Sequence, residues 1–113
     1  MGLREKCVAI GYLLRDSKDV KKFAELIMGS SDRNEKDKYM YFIETRVEMM
    51  RRENSYVEDT GTRERIASLI DDIETSLFSG AIGNIPMLAG ELEKIVKPIY
   101  EIYVSMCPAQ VIE

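Results

Sequence analysis

The sequence predicts an all-α fold, a compact four- to five-helix bundle with antiparallel neighbours, and three observations predict it. Apolar residues recur at alternating intervals of three and four in five separate stretches, the spacing of helices that each bury one face. Alternation of period two is absent over any useful length, and there is no internal repeat or low-complexity tract. The chain has 113 residues, the size of one domain.

The first helix is expected over residues 2–15, where Leu3, Cys7, Ile10 and Leu14 form the stripe. Gly11 inside it costs about 1 kcal/mol relative to Ala and reads as the place where another helix crosses closely. Ser17 with Asp19 makes an N-terminal cap for a second helix, 18–28, an acid in the first turn suiting the helix dipole. Its stripe is Val20, Phe23, Ala24 and Ile27, and Gly29 is expected to end it in a left-handed conformation. The polar segment SSDRNE follows, with Asn34 as the next cap.

The third helix, 35–53, carries Tyr39, Met40, Phe42, Ile43, Val47, Met49 and Met50 over nearly half its circumference. So wide a face predicts either the central helix or an oligomer interface. SYVEDTG breaks the pattern, and Thr60 or Thr62 caps a fourth helix, 62–79, with a seam of Ile66, Ile70, Ile73 and Leu77 closed by Ser79 and Gly80. After AIGNI comes the fifth, 86–106, with Pro86 in its first turn, where a missing N–H does no harm. Its seam is the longest: Leu88, Leu92, Ile95, Ile99, Ile102 and Met106. Pro98 either kinks this helix or splits it, and Cys107-Pro108 ends it.

Composition narrows the function classes. Hydrophobic residues are 45% and charged residues 32%, too apolar for a disordered chain. The net charge of -4 gives no general attraction to nucleic acid or anionic lipid. The apolar runs are too short for a membrane span, and the start MGLREKCVAI lacks the core of a signal peptide, so a soluble cytoplasmic location is expected. Cys7 and Cys107 are expected as free thiols there, although antiparallel packing of the end helices would allow a disulfide. Histidine is absent, which removes Ser-His and Cys-His catalysis and imidazole metal sites.

Four carboxylates form the sharpest chemical candidate. Glu44 and Glu48 stand one turn apart on the third helix, as do Asp71 and Glu74 on the fourth, and an antiparallel hairpin would bring Glu44 level with Asp71. Such a set could hold Mg²⁺ for attack of water on a nucleoside triphosphate. The arrangement loosely resembles the acidic pairs of all-α nucleotide pyrophosphohydrolases of the MazG kind. It departs from them in a first pair spaced four rather than three, and in lacking a further carboxylate on the same flank. The competing account pairs Glu48 with Arg52 on the helix surface.

Arg46 falls inside the apolar face of the third helix and reads as an interface anchor, or as a stem lying over apolar neighbours with its guanidinium on a carboxylate. Arg51, Arg52, Arg63 and Arg65 are interleaved with Glu53, Glu58, Asp59 and Glu64, the pattern of a salt-bridged end rather than a phosphate patch. A helix-turn-helix reading of Val20 to Phe42 meets a long turn and a recognition helix crowded with large apolar residues. The function expected is a non-enzymatic helical interaction module (adaptor, chaperone-like binder or complex subunit) that forms a homodimer, without cofactor and without a membrane partner. The Mg²⁺-dependent hydrolase, using Glu44, Glu48, Asp71 and Glu74, is the first alternative, and a DNA-binding regulator the second.

Overall fold

The computed structural model describes residues 2–107 and is an all-α bundle of four helices. They are α1 (Leu3–Gly29), α2 (Arg33–Asn54), α3 (Thr60–Ser79) and α4 (Ile85–Met106), with a 3-10 turn, Ile82–Asn84, leading into α4. Each helix packs on its neighbours in sequence, and α4 returns to α1. α1 stands diagonally opposite α3, and α2 opposite α4. Pairings such as Phe23 with Tyr39, Asn54 with Arg63 and Cys7 with Cys107 show that every neighbouring pair runs antiparallel. No helix among the described residues is long and apolar enough to cross a membrane.

The two helices expected over 2–15 and 18–28 are one rod of 27 residues, about 40 Å long. Ser17 does not cap. Its hydroxyl donates to the Leu14 carbonyl at 2.7 Å, so it is satisfied within the helix. The buried row continues through the expected break as Ile10, Leu14, Ser17, Val20, Ala24 and Ile27. Residues 15–19 contain neither glycine nor proline, and nothing there stops a helix whose inner face has core on both sides. Gly29 is helical rather than left-handed; the turn to α2 is made by Ser30 with extended backbone.

The starts of α2 and α3 are each set by an aspartate. Asp32, rather than Asn34, caps α2 by accepting from the Asn34 N–H at 2.9 Å. Asp59, rather than Thr60 or Thr62, caps α3, accepting from the Thr62 N–H at 2.9 Å and its hydroxyl at 2.7 Å. A carboxylate at these positions also faces the positive end of the helix dipole. Gly80 closes α3 with φ 82°, the left-handed conformation that glycine adopts at least cost. Pro86 lies in the first turn of α4, and Pro98 neither ends nor splits that helix. It is exposed, as is Lys94, whose carbonyl loses its usual donor there and can turn to water.

The core is built from Ile10, Leu13, Ile43, Met50, Ile66, Ile70, Ile73, Ile85 and Leu92, all with no exposure. α1, and not the helix expected over 35–53, is the element that packs most extensively on two neighbours. α2 fully buries only Ile43, Val47, Met50 and Asn54, while Tyr39, Met40, Phe42 and Met49 are half-buried. The α4 seam is also rotated from its expected position. The buried row is Ile85, Ala89, Leu92, Val96 and Tyr103, roughly 70° round the helix from the six expected residues at 3.6 residues per turn. Leu92 belongs to both rows. Leu88, Ile95 and Ile99 are half-buried against the core, and Ile102 and Met106 are exposed. α4 turns Ala89 and Val96 inward together with Ile85 and Leu92, leaving Leu88, Ile95 and Ile99 at the rim.

Cys7 and Cys107 are joined in a disulfide, with Cα atoms 6.8 Å apart across a sequence separation of 100. This corrects the expectation of free thiols: α1 and α4 run antiparallel, and the first turn of one meets the last turn of the other. A crosslink over about 100 residues removes unfolded-chain entropy worth about 4.7 kcal/mol. Reduction is therefore expected to lower the urea midpoint by several kcal/mol equivalent, with Cys107→Ser matching the reduced wild type. Equal midpoints with and without reductant would show that the bond contributes nothing.

Candidate functional site

Four sequence-expected carboxylates are distributed over α2 and α3. On α3, Asp71 and Glu74 share one cation: Arg51 donates from Nη1 to Asp71 and from Nη2 to Glu74, each at 2.6 Å. On α2, Glu44 and Glu48 are exposed. Glu44 lines a groove with Phe78 rather than facing Asp71. Among the described residues no group of three or more Cys, Asp or Glu is placed to hold a metal ion.

Arg46 reaches across to α1. Its Nε lies 3.5 Å from Asp16 Oδ1 and 3.5 Å from Asp19 Oδ2, and its guanidinium stands over the Phe23 ring, 5.8 Å from the centroid. Phe23 itself packs on Tyr39 and Phe42. The stem-over-apolar arrangement therefore describes this residue, with two acids of the same chain answering its charge.

The partner of Arg46 is the group that sequence reasoning missed. Asp16 has no exposure at all. Both of its carboxylate oxygens, and Oε1 of Glu53, are buried with no N–H or hydroxyl donor in hydrogen-bond geometry among the described residues. Asp16 and Glu53 interact directly across the α1–α2 interface, and two buried acids so placed are held together by a shared proton. Burial first, and then the bond to Asp16, push Glu53 up to about 9. Burial also raises Asp16, opposed by the hydrogen bond from Glu53 and by the charge of Arg46. At neutral pH Glu53 keeps its proton beside Asp16, which faces the Arg46 cation on its other side. One signal was available: in an uninterrupted α1, Asp16 falls beside Ser17 on the buried face.

Three further contacts tie the α2–α3 connection to the helices around it. Asn54, buried at the end of α2, donates from Nδ2 to the Arg63 carbonyl at 3.0 Å. Arg63 in turn donates to the Val57 carbonyl at 2.8 Å. The arginines expected to form a salt-bridged end thus include one that serves the connecting loop. Lys6 of α1 pairs with Glu58 of the same loop.

Three grooves flank these elements. One, of about 360 Å³, lies between the first turns of α1 and the end of α2, lined by Arg4, Glu5, Val8, Ala9, Tyr12, Glu53 and Tyr56. A second, of about 300 Å³, lies between the α2–α3 loop and the end of α4, with Val57, Ile99, Ile102, Tyr103 and Met106 as its apolar part and Glu58, Asp59 and Thr62 at its edge. The third, of about 200 Å³, lies between the start of α2 and the end of α3. Comparison of the chain with protein-family models, with curated proteins and with solved structures finds no match.

The protonated Glu53 has a pH signature. Its ordinary value is 4.5 and its folded value about 9. Between these the folded chain keeps a proton that the unfolded chain has released, so stability falls as pH rises across the window. Glu53→Gln keeps a donor for Asp16 and removes the titration. The melting temperature of the wild type is expected to drop between about pH 5 and about pH 8.5 by several degrees more than that of the variant. Parallel pH profiles would show that Glu53 ionises normally.

Proposed function

We propose that the chain is a non-enzymatic helical interaction module that self-associates through the outer side of α4. One observation carries this reading: Ile102 and Met106 are 61% and 50% exposed, one helical turn apart, at the mouth of an apolar groove. Ile99, half-buried on the preceding turn, continues the row inward to the core. Large aliphatic side chains at helical spacing gain from being removed from water, by about 25 cal/mol for each Å² covered.

The charges beside this groove are already answered. Glu58 pairs with Lys6, and Asp59 is committed to capping α3 through Thr62. Burying the rim therefore uncovers no new carboxylate, and what remains is a hydrophobic floor. A second copy offers the same row, which supports an isologous contact about a two-fold axis with Ile102 and Met106 at its centre. The Cys7–Cys107 bond supports a compartment in which disulfides persist, or an intracellular setting of the kind found in hyperthermophiles.

Light-scattering mass over a concentration series tests the reading. The wild type is expected to approach twice the 13.0 kDa of the chain. Ile102→Asp combined with Met106→Asp should be monomeric, and as surface changes they should alter the stability of the isolated bundle by only about 0.5 kcal/mol each. A wild type that stays monomeric throughout, or a double variant that still dimerises, would overturn the proposal.

A further inference from the structure

We infer that the groove between the start of α2 and the end of α3 docks a basic amphipathic helix of a partner protein, its cations on Asp37 and Glu44 and its apolar side chains on Tyr41 and Phe78. This surface is at the opposite end of the bundle from the α4 groove and does not depend on it. Tyr41 and Phe78 are 64% and 66% exposed, and Met40 and Leu77 form the floor between them. The space is about 200 Å³, under the roughly 300 Å³ at which small-molecule sites begin, and it suits single side chains entering from above.

The charge around it selects the partner. Asp37 and Glu44 line the groove and have no ion pair among the described residues, and no lysine or arginine lines it. Lys38, next in sequence to Asp37, lies over the Tyr39 ring instead, 5.0 Å from its centroid. On α3, Asp71 and Glu74 are matched by Arg51, and Glu58 in the connecting loop by Lys6. Asp72, without an ion pair among the described residues, borders a different groove beside Met87 and Leu88, and that groove holds no aromatic ring. The two unmatched carboxylates stand seven positions apart with Tyr41 between them, about two helical turns or 10 Å along the axis. A partner helix with Lys or Arg seven positions apart has the same rise. Apolar residues at its third and fourth intervening positions would then meet the two rings.

A second copy of this chain fits poorly. Only α1 presents exposed cations at that spacing, Arg15 and Lys22, and Lys18 and Asp19 occupy the positions where apolar side chains are needed.

The test uses the intact, disulfide-bonded chain and an alanine-based peptide of about 15 residues, with Arg seven positions apart and Leu at the two positions between. A second peptide has Glu in place of Arg. Amide chemical-shift titration should move residues 37–44 and 77–78 with the Arg peptide and leave them still with the Glu peptide. Asp37→Lys with Glu44→Lys should weaken the Arg peptide by about tenfold or more and favour the Glu peptide. Phe78→Gln should weaken both pairings while leaving the carboxylates in place. Shifts scattered over the whole acidic surface, or the same affinity in the lysine variant, would overturn the inference. So would loss of a dimer in Phe78→Gln without any Arg-peptide binding, since a second copy would then own the groove.

Discussion

A carboxylate stripped of water sits at the interface of α1 and α2, and the register of the bundle follows from how it is kept. Asp16 is tolerable there because Arg46 supplies a cation and Glu53 a proton. Both come from α2, seven residues apart, so both face α1 from the same side. Sliding α2 by one turn would put Ile43 or Met50 where Arg46 faces Asp16 and leave a buried charge unpaired, an error costing about 3–5 kcal/mol. The cluster therefore works as a register pin, the best-attested use of buried polar groups. With α2 fixed, its last residue Asn54 reaches the Arg63 carbonyl and sets where α3 begins.

The same economy of charge orders the surface. Three cations on α1 and α2 are directed at acids on the adjoining element: Lys6 at Glu58, Arg46 at Asp16 and Asp19, and Arg51 at Asp71 and Glu74. Asp32 and Asp59, which lack a cation, stand at helix starts, where backbone N–H groups receive them. Against that background Asp37 and Glu44 are conspicuous, since they border exposed aromatic rings without either form of compensation. A chain of net charge -4 can keep its excess acids dispersed in water; these two are instead set at the edge of an apolar groove.

Much of the architecture was legible in residue spacing. The all-α class, the antiparallel order, the Gly80 end of α3 and the Pro86 start of α4 all follow from periodicity and from residues with one conformational preference. The break expected at Ser17 and Asp19 illustrates the limit. The same residues that cap a helix can be satisfied inside one, and only the core on the far side of the break decides between the two. The α4 seam shows a second limit: large aliphatics weigh most in a helical wheel, whereas the buried row runs through the smaller Ala89 and Val96 as well as Ile85 and Leu92. The Asp16–Glu53 pair was hidden for a related reason. Two acids are brought together only by tertiary register, across 37 positions of sequence, and nothing local to either announces it. The pairing of the cysteines depended likewise on which ends of which helices meet.

That meeting of ends changes the topology of the molecule. With residues 7 and 107 covalently joined, the chain between them is a closed ring, and the three interhelical connections are all inside it. Cleavage of the 55–59 connection would open the ring without separating two pieces. The severed halves would stay tethered at millimolar effective concentration, so α1 and α2 could find α3 and α4 again as one molecule rather than as two.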